Sequence, residues 1–94
     1  MLEVSEIVTL SPAEAEKILE RADKANVAAC AAVHHQLRVS ELAAIMRSGG
    51  WRSDTGAPVV VFDREGRVTS GIRTLLAISR ANVSTKIRMS KFIR

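Results

Sequence analysis

Aromatic residues and cysteine are scarce in this chain of 94 residues. It contains no tyrosine, and Trp51, Phe62 and Phe92 are its only aromatic residues. Proteins that bind single-stranded nucleic acid usually place aromatic side chains among basic ones, so this scarcity argues against a base-stacking surface. Cys30 is the only cysteine, which excludes an intramolecular disulfide and is compatible with a reducing compartment.

Long apolar segments and a basic N-terminal leader are also missing. No apolar stretch approaches the ~20 residues that a membrane-spanning helix needs. The N-terminal segment contains Glu3 and Glu6, whereas a secretory signal peptide begins with basic residues. We therefore expect a cytoplasmic protein that makes no contact with a membrane. The length predicts a single domain, residues 1–94, that buries ~65% of the surface of its unfolded chain.

Capping and turn residues divide the first half of the chain. The segment Ser-Pro-Ala-Glu at residues 11–14 provides an N-cap, a proline at the first helical position and the glutamate of a capping box. An interruption near residues 38–40, with Ser40 as the N-cap of a new helix, is the alternative to one continuous helix. The predicted elements of this half are a strand at residues 3–10, a helix at residues 11–23, a break at residues 24–26 and a helical stretch at residues 27–47 that ends at residues 49–50.

The second half begins with a short β-branched strand at residues 59–62, of the kind that is covered on both faces. Turn residues close it, and we expect Gly66 to adopt a positive φ. Asp63 either caps this hairpin or supplies a catalytic carboxylate. The remaining predicted elements are a return strand at residues 67–69, a helix that starts at Ser70 or Gly71, a turn at residues 82–84 and a last strand at residues 85–93.

The start of that helix is the best candidate binding site in the sequence. A glycine at a helix N-terminus lets a ligand approach the backbone N–H groups, and the positive end of the helix dipole favours anions such as phosphate. Arg73, within the first turn, adds a planar set of donors. In the alternative interpretation Gly71 only starts the helix and Arg73 is a solvated surface cation.

Several of these residues form a pattern that resembles a known superfamily. A helix ends in Met46-x-x-Gly49-x-Trp51, a strand follows, and the turn reads Asp-x-x-Gly-Arg at residues 63–67 before Gly71 opens the next helix. This order resembles the ParB/sulfiredoxin superfamily, and most closely its small phage-encoded members. The resemblance implies an α+β fold, a small ParB N-terminal-like domain with about four short strands and three to four helices. It also implies a small accessory protein that binds a host or phage protein, or DNA.

The resemblance implies a nucleotide site as well, from which this chain departs. In the family, the arginine of a Gly-x-x-Arg motif binds nucleotide phosphate, and some members hydrolyse CTP or ATP or have been called nucleases. Thr74 occupies that position here, and Ser70 replaces the usual aspartate. We therefore expect a non-catalytic binding module with no cofactor, and a nucleotide hydrolase or nuclease is the alternative. The candidate phosphate-binding residues are Ser70, Gly71, Ile72, Arg73, Thr74, Asp63 and Arg67.

Charge is unevenly distributed along the chain. Residues 1–50 contain five Lys/Arg and seven Asp/Glu, whereas residues 51–94 contain nine and three. A positive second half favours phosphates or an acidic protein surface. We therefore expect the module to bind a host or phage macromolecule through this basic C-terminal half, and a DNA-binding regulator with nonspecific phosphate contacts is the alternative. The candidate contact residues for nucleic acid or a protein partner are Arg52, Arg80, Lys86, Arg88, Lys91 and Arg94.

Two other residue patterns allow alternative interpretations. Cys30 and His34 have the spacing of one helix face, which is half of a zinc site, but nothing in the sequence completes it. We therefore predict a packed core cysteine and no metal. Trp51 either anchors the core between a helix end and the hairpin or marks an exposed interface.

Overall fold

Four helices and a four-stranded mixed sheet make up the part of the chain that the computed structural model describes. That part is residues 2–52 and 59–93, without the side chains of residues 33–35 and 93. The α+β class is therefore confirmed. Arg94, a predicted contact residue, lies outside the described residues. The elements are β1 (Leu2–Leu10), α1 (Pro12–Glu20), α2 (Lys24–Cys30), α3 (Val33–Ser48), β2 (Val60–Phe62), β3 (Val68–Ser70), α4 (Ile72–Ala81) and β4 (Thr85–Ile93).

The first strand and helix follow the sequence signals closely. Ser11 caps α1, and the predicted capping box is complete: the Glu14 amide donates to Ser11 Oγ, and the Ser11 amide donates to Glu14 Oε1, both at 3.1 Å. Pro12 is the first helical residue, where no N–H is required. The helix ends at Glu20, three residues before the predicted end.

The prediction for the next helices was wrong in two places. The predicted break at residues 24–26 is helical, because Asp23 caps α2 and its Oδ1 accepts from the Ala25 amide at 2.8 Å. The interruption falls instead between Cys30 and Val33, and α3 runs through Ser40 without a new start. Cys30 and His34 therefore belong to different helices, so the helical spacing assumed for them does not apply.

The sheet has the order β1-β4-β2-β3, with β4 antiparallel to β1 and parallel to β2, and β2 antiparallel to β3. Side chains alternate between its two faces. Val60, Ile87 and Met89 are buried on the face that the helices cover. Lys86 and Arg88 project from the opposite face.

Helix α4 occupies the centre of the core. Leu75, Ala77 and Ile78 are completely buried, and α1 and α3 both pack against α4. Ala15 on α1 and Ala43 on α3 are also fully buried, and their small side chains let the helices approach closely. This packing fixes both ends of α4, including the N-terminus that carries the candidate site. Within the described residues, no helix has the length and apolar character needed to cross a membrane.

Candidate functional site at the N-terminus of α4

Gly71 determines where α4 begins. It is the N-cap, with φ of 99° and ψ of 14°, and the Leu75 amide donates to its carbonyl at 3.0 Å. A Cβ at this position would overlap the carbonyl oxygen of Val59 and lie 2.8 Å from the Cα of Val60. Only glycine fits such a close crossing of β2, which holds the first turn of α4 directly against the sheet.

The first turn of α4 is not capped by a side chain. The first N–H groups of an α-helix have no partner within the helix, and those at residues 72–74 are therefore available to a ligand. Their dipoles and the helix dipole both favour negative charge at this point. The helix start predicted at Gly71 is therefore present, and its use as an anion site stays a prediction.

This helix start opens into a cleft of about 590 Å³. One side is formed by the end of β3 and the first turn of α4, and the other by α2, α3 and Trp51. The cleft contains five of the seven residues predicted to bind phosphate. The described lining residues are Asn26, Ala29, Cys30, Arg38, Leu42, Trp51, Val59, Thr69, Ser70, Gly71, Ile72, Arg73 and Thr74.

The charged side chains among the described lining residues are two arginines. Arg73 is exposed and makes no hydrogen bond or ion pair with a described residue. Arg38 lies across the cleft on α3, where its Nη1 is 3.5 Å from Glu41 Oε2 in a pair whose side chains are both more than half exposed. Such an exposed pair contributes little, so Arg38 remains free to reorient toward an anion.

Arg38 was not predicted from the sequence. It is separated from Arg73 along the chain by the rest of α3 and the β2–β3 hairpin, and the packing of α3 on α4 brings the two into one cleft. The sole local signal was its spacing from Glu41, which is typical of a surface ion pair.

Thr74 is placed differently from a surface threonine. Its side chain is only 8% exposed, it lines the cleft, and its hydroxyl makes no hydrogen bond with a described residue. Ser70 is exposed beside it at the end of β3. Ile72, by contrast, is buried in the core, so that its contribution to the site is its backbone amide.

Asp63 and Arg67 lie at the other end of the β2–β3 hairpin and do not line the cleft. Asp63 Oδ1 accepts from the amides of Glu65 at 3.0 Å and Arg67 at 2.9 Å. Arg67 Nε is 3.8 Å from Asp63 Oδ2. Asp63 thus caps the hairpin, the structural alternative considered for it, and Gly66 has the expected positive φ of 83°.

The predicted basic contact residues are spread over several surfaces. Lys86 and Arg88 project from the face of the sheet opposite the helices, whereas Lys91 is on the helix side, with its Nζ 2.7 Å from Glu6 Oε1. Arg80 lies on α4, where its Nη1 donates to Ser40 Oγ at 3.0 Å. Arg52 is exposed close to Trp51 in the chain and already has an interaction partner.

Trp51 links the cleft to the sheet. The side chain is half-buried against the core, and its Nε1 donates to the Lys86 carbonyl oxygen at 2.7 Å. Two residues further along β4, the Arg88 carbonyl accepts from the Val59 amide at 3.0 Å. The indole therefore supplies a donor on the same edge of β4, which agrees with the anchoring role considered for it.

Cys30 is half-buried and packs against the core at one side of the cleft. No group of three His, Cys, Asp or Glu side chains that could hold a metal ion occurs among the described residues. Comparison of the chain with protein-family models, curated proteins and solved structures finds no match. The resemblance to the ParB/sulfiredoxin superfamily therefore stays a prediction.

Proposed function

We propose that this chain is a non-catalytic binding module on a ParB-like scaffold, and that its cleft binds a phosphate group of a nucleotide or of a nucleic-acid backbone. The observation that carries the proposal is the uncapped N-terminus of α4, which opens into a cleft whose described charged residues are Arg38 and Arg73. A phosphate group has several oxygens, which can accept hydrogen bonds from the backbone amides of α4 and from the arginine side chains at the same time.

The cleft offers two kinds of hydrogen-bond donor, the backbone amides of α4 and the arginine side chains. The backbone amides at residues 72–74 are fixed by the helix and lose no side-chain entropy on binding. Arg73 and Arg38 each provide a planar set of donors, and a hydrogen bond to a charged group contributes about 1.5–3 kcal/mol. Thr74 adds a hydroxyl at the base of the cleft. Together they compensate in part for the family arginine that Thr74 replaces.

The same residues favour binding over catalysis. Hydrolysis of a phosphate ester or anhydride uses a general base or a metal ion to activate water. An arginine side chain stays protonated and accepts no hydrogen bond, so neither Arg38 nor Arg73 can act as that base. Asp63, the one carboxylate among the predicted phosphate-binding residues, does not line the cleft and caps the hairpin.

The size of the cleft fits one nucleotide or a short piece of backbone. Its volume of about 590 Å³ lies within the range of small-molecule sites. Trp51 and Leu42 give one wall an apolar surface against which a base or sugar can rest. Both ligand sources share the phosphate chemistry, and the experiment below separates them.

Calorimetric titrations with inorganic phosphate, CTP, ATP and a short DNA duplex test the proposal. The Arg73→Ala variant is compared with Arg80→Ala, which removes the same side chain from the far end of the same helix. We expect Arg73→Ala to weaken binding about tenfold or more, the equivalent of one charged hydrogen bond, and Arg80→Ala to leave it unchanged. Fluorescence of Trp51, the only tryptophan, gives an independent signal from the wall of the cleft.

The outcomes separate the two sources. Saturable binding of nucleotides with little dependence on salt indicates a nucleotide site, whereas binding of the duplex alone, with a steep loss at higher salt, indicates a nucleic-acid backbone. Equal losses in Arg73→Ala and Arg80→Ala would contradict the cleft and favour diffuse contacts of a macromolecule with the basic second half. Absence of binding by all four ligands would refute the proposal.

A further inference from the structure

Strand β1 is a free edge of the sheet. The strand order β1-β4-β2-β3 places it at one end, and no described strand lies beyond it. Alternate residues of an antiparallel edge strand direct their N–H and C=O groups away from the neighbouring strand. Over the nine residues of β1, these groups form a template on which another strand can pair.

This edge lacks the features by which proteins usually protect an edge strand. The register with β4 continues from Leu2↔Ile93 to Leu10↔Thr85 without a shift, and β1 contains neither proline nor lysine. Its hydrophobic residues are unusually accessible: Leu2 is 63% and Ile7 is 44% exposed. A long, regular and partly apolar edge strand favours pairing with a strand of another chain.

The acidic residues of β1 interact with side chains of β4 and therefore do not protect the exposed edge against pairing with another strand. Glu3 Oε1 accepts from Ser90 Oγ at 2.8 Å, and Glu6 Oε1 lies 2.7 Å from Lys91 Nζ. Both carboxylates are thus drawn toward the inner neighbour, and the ion pair offsets the charge of Glu6. A second strand can approach the outer edge without meeting an unpaired row of like charges.

We propose that β1 pairs with β1 of a second copy of this chain, antiparallel and about a two-fold axis at Ile7, to give one continuous sheet of eight strands. The sequence of the strand is complementary to itself in this register. On the helix-free face, Ile7 lies opposite Ile7 and Ser5 opposite Thr9. On the other face, Val4 lies opposite Leu10, and no two carboxylates are directly opposed.

Side chains stay on their own face of a continuous sheet, so neighbouring registers can be compared by the residues that they place opposite each other. A two-fold axis at Glu6 would oppose the two Glu6 carboxylates, which is destabilising. An axis at Ser5 would place Glu3 of one copy against Ile7 of the other. The Ile7 register opposes two β-branched side chains at the axis and pairs Ser5 with Thr9, both of which are favourable cross-strand combinations.

Sedimentation velocity over a micromolar to millimolar range of the full chain tests the pairing. We expect the mass to rise with concentration from that of one chain to that of two. The Ile7→Lys variant opposes two lysines at the axis and should raise the dissociation constant about tenfold or more. Leu37→Lys is the matched control. Leu37 is 72% exposed on α3, and its replacement changes charge and polarity as much as Ile7→Lys does.

An equimolar mixture of Ile7→Lys and Ile7→Glu identifies the register. Each variant alone should dimerise more weakly than the wild type, whereas the mixture should form a tighter heterodimer in which lysine faces glutamate across the axis. Circular dichroism of each variant verifies that it is folded. A wild-type protein that stays monomeric at millimolar concentration, or an Ile7→Lys variant that dimerises as well as Leu37→Lys, would overturn the proposal.

Discussion

Replacing Gly71 with alanine probes the geometry on which the candidate site depends. The residue has φ of 99°, a conformation that side chains with a Cβ rarely adopt. A Cβ would overlap the Val59 carbonyl oxygen and lie 2.9 Å from Cγ2 of Val60. Two of the three atoms it meets belong to the backbone of Val59 and Val60, at the start of β2, so relief requires α4 and the hairpin to separate.

The cost has two parts. Holding a residue other than glycine in this region of φ and ψ costs about 1–3 kcal/mol. Forcing a side chain into occupied space costs a further 1–3 kcal/mol or so through shifted backbone. The total of about 2–5 kcal/mol is large beside the roughly 5–14 kcal/mol expected for a domain of this length. We therefore expect a marked loss of stability and a displaced first turn of α4.

Gly66→Ala is the matched control. Gly66 has a similar φ of 83°, yet a Cβ there would meet no atom within 4 Å. This variant pays the conformational cost alone, about 1–3 kcal/mol. Urea denaturation of both variants, followed by the fluorescence of Trp51, gives the two free energies of unfolding. A Gly71→Ala variant no less stable than Gly66→Ala would refute the close crossing of Gly71 over β2.

Three further predictions concern the hairpin, the tryptophan and turnover. Asp63→Ala should lower the free energy of unfolding by about 1–2 kcal/mol in urea denaturation, because it removes the acceptor of two backbone N–H groups; an equal loss in Glu65→Ala would contradict this. Trp51→Phe keeps a ring but loses the bond to the Lys86 carbonyl, which should cost about 1 kcal/mol in a thermal melt followed by circular dichroism; an unchanged melting temperature would show that this bond contributes nothing. We expect no measurable hydrolysis of CTP or ATP in a phosphate-release assay, and turnover that Arg73→Ala abolishes would disprove it.

The elements within residues 59–93 could be predicted almost residue by residue from the turn residues that separate them. Glycines with positive φ at positions 66 and 71 and Asn82 at the end of α4 mark turns whose backbone few other residues adopt. Between them the spacing of apolar residues defines strand or helix without ambiguity. Strand β4 begins and ends where the sequence predicted, at residues 85 and 93.

The first half was harder because residues 21–36 contain neither glycine nor proline. An alanine-rich segment is compatible with helix throughout, so its boundaries depend on a single cap and on packing. Asp23 provides that cap, and an aspartate followed by lysine was equally consistent with a helix end. The prediction that this segment is mainly helical was therefore correct, whereas the predicted position of its interruption was wrong.

The residues of the candidate site also fall into a group that could be predicted from the sequence and a group that could not. The donors at residues 70–74 are local to one helix start and could be predicted from a capping pattern. Arg38 joins them only through the packing of α3 on α4, and the charge of Lys91 is offset only through its ion pair with Glu6 on β1. Both depend on contacts between residues far apart in sequence, which spacing along the chain does not encode.

The most direct test of the central claim is a titration of the ¹⁵N-labelled protein with inorganic phosphate, followed by the amide resonances. We expect saturable shifts centred on residues 71–74, with smaller changes at Arg38 and the Trp51 indole N–H, and their loss in Arg73→Ala. Shifts confined to Lys86 and Arg88, or no shift at the N-terminus of α4 at any phosphate concentration, would contradict it.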